Sequence, residues 1–478
     1  MTIVISGSGL GIEDVVQVAR TRERIALAAD AETRMVASRA AVDEALERGE
    51  VVYGLTTGVG ALRREQVAID ELSWVGERLL ISHSVGQGRA ADRGSVRATA
   101  VCLLNFLAQG TSGVRPEVAQ GLVRMLAEDR LPDIPELGSI GQADLAPLAP
   151  LAEAILREVP PAPGEALALI DNNAFATASG ALALYDTHRL LRALEVTGAL
   201  SLEAFAANVA PLDPAVVAAR PFSGLAESAR RLRDLLDGSF LNRPGASRNL
   251  QDPLTFRGIA HVLGALRDAL AFARAHVEVE LNAHQGNPFV ALEGGQIRPA
   301  ANFEVLPLAQ AMDLARIALA PALTAAQERA LKLLDTPWSG LPTGLAPSDG
   351  TDSGMSMLGI VAQALTAEAR LLAQPVSFEL TSTTGAEGIE DRMTMAPLGA
   401  RRLAEMVVLG ERIAAIELVV AAQAADLRDQ NPLGLGTRQA RRFLRDHVPF
   451  MEHGGRVPAD HQPLRELLRS DAFAALGD

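Results

Sequence analysis

A tyrosine on a glycine-flanked loop is the residue of this chain best suited to chemistry. Tyr53 opens the segment Tyr53-Gly54-Leu55-Thr56-Thr57-Gly58-Val59-Gly60, which is rich in glycine and threonine. The unperturbed pKa of tyrosine is about 10, so the phenol can act as a general base once neighbouring donors or positive dipoles lower that pKa. The chain has only two tyrosines, and the other, Tyr185, lies in an apolar helical run. We therefore predict that Tyr53 is a catalytic base.

Other common catalytic groups are scarce. The single cysteine, Cys102, lies in an apolar run and the single lysine, Lys332, lies in an ordinary amphipathic segment, which disfavours disulfide, thiolate and Schiff-base chemistry. Glu280 and His284 are four residues apart, but no third ligand accompanies them, so we predict no metal site. The net charge of −14, without clustered basic and aromatic residues, argues against nucleic acid as a partner. A small-molecule partner is favoured.

Long helices must position these residues. Apolar residues recur every three or four positions in the alanine- and leucine-rich segments 259–284, 356–374 and 403–428, which predicts a mainly α fold built as a long-helix bundle. We predict an N-terminal domain over residues 1–190, followed by the helix bundle and C-terminal region over residues 191–478. No apolar run reaches the roughly 18 residues of a membrane span, and no signal peptide is evident. We expect a cytoplasmic protein without a membrane partner.

Short motifs along the chain resemble those of the histidine and phenylalanine ammonia-lyase family. The tyrosine loop is followed, in family order, by Ser82-His83-Ser84, Gly110-Thr111-Ser112-Gly113-Val114-Arg115, Gly138-Ser139-Ile140-Gly141, Asp144-Leu145-Ala146-Pro147-Leu148-Ala149, Gln251-Asp252-Pro253 with Arg257, Asn302-Phe303, and Glu390-Asp391. The resemblance covers roughly residues 5 to 470. It implies the helix bundle of the ammonia-lyase and fumarase-aspartase type, a carbon–nitrogen lyase activity, and a homotetramer whose active sites draw on several chains.

The chain departs from the family at the cofactor loop. In the family, the Gly-Ser-(Val/Ile)-Gly run is followed by Ala-Ser-Gly, which cyclises with loss of two waters to the electrophile methylideneimidazolone (MIO). Here Gly141 is followed by Gln142, Ala143 and Asp144, so the serine that would form the alkene is missing. Ser139 could serve in its place only if the β-branched Ile140 allowed ring closure, which is disfavoured. We predict that the protein carries no MIO and no other cofactor.

The resemblance also implies a set of substrate-binding residues. Arg257 matches the family arginine that holds the substrate carboxylate, a task suited to a bidentate guanidinium. Leu254 stands where the family has a tyrosine, and His83 is expected to orient the tyrosine loop or a substrate group. The predicted substrate-binding residues are His83, Gln251, Leu254, Arg257, Asn302, Phe303 and Glu304.

Three acids distinguish the expected pocket. Asp171 replaces a family asparagine, Glu304 stands where histidine is common, and Glu390 keeps a family carboxylate. If all three line one pocket, it favours a cationic group of the substrate, opposite the carboxylate held by Arg257. Asp171 and Glu390 are therefore predicted to join Tyr53 as catalytic residues. The alternative is that Asp171 and Glu304 cap helices or pair with arginines.

Asp144 directly precedes a predicted helix over residues 145–156 and is expected to be its N-cap. In the family, helix starts of this kind converge on the cofactor. Without the cofactor, the same positive helix ends could still stabilise a developing negative charge such as an enolate.

Without the MIO electrophile, ordinary ammonia loss from histidine or phenylalanine is disfavoured. The leading hypothesis is elimination of a good leaving group from an amino-acid-derived substrate. The family offers a precedent in the enzyme that removes trimethylamine from ergothioneine. Three alternatives remain: a member repurposed for cyclisation, addition or isomerisation; a non-catalytic scaffold or partner subunit; and an ammonia-lyase that forms its electrophile by an unrecognised cyclisation.

Overall fold

The computed structural model describes residues 2–68, 71–347, 352–378, 385–458 and 461–477. The chain forms two compact units: residues 1–185, 273–313 and 375–401 make up the first, and residues 186–272, 314–374 and 402–478 make up the second. The chain first leaves the first unit after residue 185, near the predicted boundary at residue 190. Residues 273–313 and 375–401 then return to the first unit. These two discontinuous units are a different division from the predicted N-terminal and C-terminal parts.

Four long helices each contribute residues to both units, which explains this discontinuity. They are Ala174–Phe205, Ile259–Glu280, Leu306–Leu334 and Ala396–Arg428. The last helix begins at Ala396, before the predicted start at residue 403. Pro397 is tolerated because it lies in the first turn of the helix, where a missing N–H costs no hydrogen bond. The mainly α, long-helix fold predicted from the hydrophobic periodicity is confirmed.

The first unit carries the short strands and most of the loops that concern the site. Strand Thr2–Ile5 pairs in parallel with Arg24–Leu27, while Gln87–Ala90 pairs antiparallel with Pro135–Leu137 and Phe289–Val290 antiparallel with Ile297–Arg298. Its shorter helices are Ile12–Val16, with a π-helical continuation Gln17–Thr21, and Ala29–Glu47, Leu72–His83, Arg93–Ala108, Pro116–Ala127, Leu145–Glu158 and Glu165–Ile170. Two 3-10 turns, Gly60–Leu62 and Ala386–Gly388, complete it.

The second unit has helices, turns and loops, and its described residues include no strand. Its shorter helices are Pro214–Ala218, Ser223–Leu235, Leu254–Arg257, Thr336–Ser339, Ser356–Leu372, Leu435–Arg445, Gln462–Leu468 and Asp471–Ala474, with 3-10 turns at Ala210–Leu212, Phe240–Asn242 and Thr343–Leu345.

Buried ion pairs are a feature of the second unit's core. Glu417 accepts hydrogen bonds from Arg329 at 2.6 Å, Thr197 at 3.0 Å and Ser201 at 2.8 Å, and all four residues are buried. Because each carboxylate oxygen has its own donors, the cost of removing these charges from water is offset.

No helix within the described ranges is long and apolar enough to cross a membrane. Among the same residues, no group of three or more histidine, cysteine, aspartate or glutamate side chains could hold a metal ion.

Candidate active site

Tyr53 lies on a turn that hydrogen bonds of Thr56, in the same loop, stabilise. The Thr56 hydroxyl accepts the Val52 N–H at 2.8 Å and donates to the Glu50 carbonyl at 2.9 Å. The Gly60 N–H donates to the Tyr53 hydroxyl oxygen at 3.1 Å, and Gly60 adopts a φ of 56° that favours glycine. The glycine- and threonine-rich composition thus bends the loop so that a backbone N–H meets the phenol.

Burial and two carboxylates set the charge state of Tyr53. The pKa of this half-buried phenol is raised, first because burial disfavours the phenolate and then because the charges of Asp171 and Glu390 repel it. The Gly60 N–H and the Arg63 guanidinium oppose this effect. The expectation of a lowered pKa was therefore wrong for the protein without substrate, because burial and the two acids outweigh the N–H and the arginine.

Asp171 ends the helix Glu165–Ile170 and is 8% exposed. Its carboxylate receives the Asn287 backbone N–H, and burial together with the nearby charge of Glu390 raises its pKa to about 7. Glu390, in contrast, is exposed. The structure thus brings three of the predicted site residues, Tyr53, Asp171 and Glu390, within electrostatic range of one another in the first unit.

Glu304 does not add a third free negative charge. Its carboxylate pairs with Arg392 at 3.2 Å, accepts the Gln142 side-chain amide at 2.9 Å and accepts the Leu306 N–H at 3.1 Å, at the start of helix Leu306–Leu334. It therefore follows the alternative interpretation, in which an acid caps a helix and pairs with an arginine. The expectation of three uncompensated acids is reduced to two, Asp171 and Glu390.

The loop that would carry MIO is closed on itself by hydrogen bonds. The Ser139 hydroxyl donates to the Asp144 carboxylate at 2.7 Å and accepts the Gly141 N–H at 3.0 Å. Thr394 donates to the Gly141 carbonyl at 2.8 Å, and Ala143 has a φ of 60°. Because no serine follows Gly141 and the Ser139 hydroxyl is already engaged, the residues present do not fit the formation of MIO.

The Asp144 side chain binds a different helix from the one expected. Its side chain makes no capping bond to the helix Leu145–Glu158 that it precedes. Instead it accepts the N–H groups of Phe175 and Ala176, the latter at 2.8 Å, in the first turn of helix Ala174–Phe205. Burial raises its pKa to about 6. Asp144 is the N-cap residue of helix Leu145–Glu158, as predicted, but its side chain makes no capping bond there because the carboxylate binds the first turn of helix Ala174–Phe205 instead.

His83 lies at the end of helix Leu72–His83 and is bonded within that helix. Its Nδ1 lies 2.7 Å from the Leu79 carbonyl and 3.1 Å from the Ser82 hydroxyl. The hydrogen bonds described for His83 do not include the Tyr53 loop, and its role in orienting that loop or a substrate group stays a prediction.

Arg257, Gln251 and Leu254 lie together in the second unit. The Arg257 guanidinium contacts the Gln251 side-chain carbonyl, and Leu254 is 72% exposed at the start of the short helix Leu254–Arg257. No carboxylate among the described residues forms an ion pair with Arg257, whose Nε is buried without a hydrogen-bond partner. The arginine therefore keeps hydrogen-bonding capacity for an anion.

Asn302 and Phe303 lie on the turn before helix Leu306–Leu334 in the first unit, where Asn302 is exposed and Phe303 half-buried. Sequence reasoning missed two further groups, the Asn287 N–H that meets Asp171 and the guanidinium of Arg63. A backbone donor leaves no signal in residue type. Arg63 is one of two adjacent arginines after the tyrosine loop, and nothing in their types distinguishes them.

A small cavity of about 30 Å³ borders Tyr53. Its walls are mainly apolar and include Val52, Phe106, Leu167 and Val290. This volume has room for a water molecule but not for an amino acid.

Comparisons with known proteins agree with this architecture. The sequence profile of the aromatic amino acid lyase family matches residues 10–160 and 150–446. Histidine ammonia-lyase of Streptococcus gordonii is 33% identical over 504 aligned positions, covering 99% of this chain and 98% of the relative. That of Treponema denticola is 33% identical over 98% of this chain and 97% of the relative.

Solved structures give the same result. Ergothionase from Treponema denticola, an ergothioneine-degrading enzyme in complex with desmethyl-ergothioneine sulfonic acid, superposes with a TM-score of 0.91 at 27% identity, covering 100% of this chain and 99% of that chain. Histidine ammonia-lyase from Trypanosoma cruzi gives 0.89 at 26% identity, covering 100% and 95%. These relatives are lyases, and the chain belongs to the aromatic amino acid lyase family.

Proposed function

We propose that this protein is a cytoplasmic, MIO-independent lyase that eliminates a good leaving group, such as trimethylamine, from an amino-acid-derived betaine. The observation that carries the proposal is the arrangement of Asp171 and Glu390 around Tyr53. Burial raises the pKa of the phenol, and two negative charges, one of them buried with a single described N–H donor, raise it further. Such a site favours a cationic group of the substrate.

A cationic substrate would activate its own base. A trimethylammonium group near Asp171 and Glu390 offsets the negative charges that raise the Tyr53 pKa. The phenol therefore loses its proton more readily once the substrate is bound. The phenolate then removes the β-hydrogen, the C–H electron pair forms the alkene, and the C–N bond breaks with its electron pair leaving on trimethylamine. The Tyr53 phenol carries the abstracted proton until it is returned to solvent.

The expected absence of MIO favours this choice of substrate. The loop around Gln142 fits no MIO, so a free amine would have to leave without that assistance. A trimethylammonium group leaves as a neutral amine and needs no proton. Arg257, to which the family resemblance assigns the substrate carboxylate, has no described ion-pair partner and a planar guanidinium that matches that group. The structural similarity to ergothionase agrees with this class of substrate.

We further propose a homotetramer. Helix Ser356–Leu372 exposes the apolar side chains Met357, Ile360, Val361 and Leu371. Exposed apolar patches of this kind mark contacts between chains. Light scattering coupled to size exclusion would give four times the 50.3 kDa of one chain; a monomeric mass would contradict the tetramer.

Proton NMR tests the proposed reaction. The purified protein is mixed separately with histidine, phenylalanine, tyrosine and their trimethylammonium betaines, including ergothioneine, and alkene signals are followed. Alkene from a betaine alone supports the proposal. Alkene from a free amino acid contradicts MIO independence, and silence throughout contradicts the lyase and favours the specialised-metabolite or scaffold hypotheses. Normal turnover of another substrate by Arg257→Ala would favour cyclisation, addition or isomerisation.

A further inference from the structure

Two short turns of the first unit meet at Arg63. The 3-10 turn Gly60–Leu62 follows the tyrosine loop, and the 3-10 turn Ala386–Gly388 precedes Glu390. A Cβ atom added at Gly60 would lie 3.3 Å from the Cβ of Ala386, so the two turns are close together. The Arg63 Nη1 donates to the Gly60 carbonyl at 3.1 Å and to the Glu387 carboxylate at 3.2 Å. One guanidinium nitrogen therefore joins both turns.

Each hydrogen-bond partner of Arg63 lies in a turn that is hydrogen-bonded to a candidate catalytic residue. Gly60, whose carbonyl it binds, donates its N–H to the Tyr53 hydroxyl at 3.1 Å. Glu387 lies within the hairpin-like turn closed by the Glu390 N–H on the Gly385 carbonyl at 3.3 Å. Anchoring these two turns fixes where the phenol and the Glu390 backbone lie relative to each other.

The turn that Arg63 binds is not an intrinsically favoured conformation. Ala386 and Glu387 have φ angles of 47° and 62°, a region that residues with a side chain rarely adopt. Such backbone persists when surrounding contacts hold it, and it is concentrated at functional sites. The Arg63–Glu387 ion pair is a contact of this kind, with the Arg63 side chain 20% exposed and therefore partly shielded from solvent.

We propose that Arg63 is a positioning residue for Tyr53, which ties the tyrosine loop to the turn that presents Glu390. It also places a positive charge near a phenol that otherwise faces Asp171 and Glu390, with the Gly60 N–H as the neighbouring donor. The catalytic consequence rests on the proposed role of Tyr53 as base, whereas the positional consequence does not.

The two tyrosines of the chain allow a direct test. Protein labelled with [¹³Cζ]tyrosine gives two resonances, and Tyr185→Phe assigns the one from Tyr53. The Tyr53 resonance is followed from neutral to alkaline pH in the wild type, Arg63→Gln, Arg63→Lys and Glu387→Gln. Arg64→Gln is the matched control, because Arg64 is adjacent, exposed, and has no described ion pair.

Arg63→Gln is expected to move the Tyr53 resonance at neutral pH and to raise the midpoint of its titration, since a cation near the phenolate is lost. Glu387→Gln is expected to move the resonance less, because the charge of Arg63 remains, and Arg63→Lys to restore part of the change. Arg64→Gln should match the wild type. With an active substrate, kcat/KM should fall on the order of tenfold in Arg63→Gln and its pH profile should shift toward higher pH.

An Arg63→Gln spectrum and titration indistinguishable from Arg64→Gln would overturn the inference. An unchanged Tyr185 resonance shows that the fold is intact. The activity of Tyr53→Phe separates the two claims. If that variant stays active while Arg63→Gln still moves the Tyr53 resonance, the proposed function fails and the positioning role stands. If Tyr53→Phe is inactive and Arg63→Gln is unaffected, only the positioning role fails.

Discussion

The loop around Asp144 and the turn around Asp171 each bury a carboxylate, and they use it in opposite ways. Asp144 receives the Ser139 hydroxyl and the N–H groups of Phe175 and Ala176. Asp171 receives the Asn287 N–H and lies near a second acid, Glu390. The Asp144 pKa is raised to about 6 and that of Asp171 to about 7, both chiefly by burial.

The difference shows how a structural acid can be told from a functional one. A buried carboxylate with several donors is stabilised within the fold and holds its neighbours in place. A buried carboxylate with few donors beside another negative charge is stabilised only when a cation arrives. In this chain the loop around Asp144 fits the first description, and the turn at residues 171–173 fits the second.

Tyr53→Phe should have the largest effect, because the functional turn acts through this phenol. We expect kcat for betaine elimination to fall by about 10²–10⁴-fold, the usual contribution of a general base. Alkene formation followed by proton NMR measures the loss, with helical circular dichroism as the check on folding. Tyr185→Phe, on the other tyrosine, should keep full activity; a fully active Tyr53→Phe would remove Tyr53 from the mechanism.

Asp144→Ala should destabilise the protein strongly, because the Ser139 hydroxyl and the Ala176 N–H would lose a buried partner. We expect the free energy of unfolding to fall by about 2–4 kcal/mol, measured by chemical denaturation. Asp92 provides the comparison, since this exposed N-cap accepts the Ser95 N–H at 3.1 Å. Asp92→Ala should cost about 1 kcal/mol. Equal losses in the two variants would contradict the structural role given to the Asp144 loop.

Asp171→Asn should weaken binding of the cationic substrate while leaving the fold intact. We expect KM to rise on the order of tenfold through loss of one charge at the cation site. In the wild type KM should fall as pH rises through about 7, because the ionised carboxylate binds the cation, and this dependence should disappear in the variant. Glu304→Gln should change KM little, since Arg392 already compensates that acid. A larger effect from Glu304→Gln would reverse the assignment.

A further prediction concerns stability against pH. The folded-state pKa of Asp171 lies above its ordinary value of 3.8, at about 7, so the folded protein binds the extra proton in this interval. The stability contributed by protonated Asp171 is therefore present at low pH and lost as pH rises through about 7. As pH rises over this range, the free energy of unfolding of the wild type should therefore fall relative to that of Asp171→Asn. A constant difference between the two proteins would contradict the raised pKa.

The fold was largely predictable from sequence. The apolar periodicity of residues 403–428 and 356–374 identified long helices, and their ends differ from the predictions by local effects such as Pro397 in a first turn. The two-unit division was not predictable, because the return of residues 273–313 and 375–401 to the first unit depends on tertiary packing.

The candidate site was predictable in residue identity and less so in electrostatics. Tyr53, Asp171 and Glu390 lie within electrostatic range, yet the direction of the Tyr53 pKa shift required burial that residue types do not give. Glu304 was grouped with the other acids because Arg392, its partner, is 88 residues away in the chain. Asp144 binds the first turn of the helix that begins at Ala174, which is likewise distant from it in the sequence.

Mass spectrometry of the purified protein tests the central claim most directly, because closing an imidazolone removes two waters from the chain. The tryptic peptide covering residues 131–157 contains Ser139, Gln142 and Asp144. We predict that this peptide has the mass encoded by its sequence, in a preparation that releases trimethylamine from a betaine. A peptide lighter by two waters would show that the loop forms the electrophile after all and would contradict MIO-independent elimination.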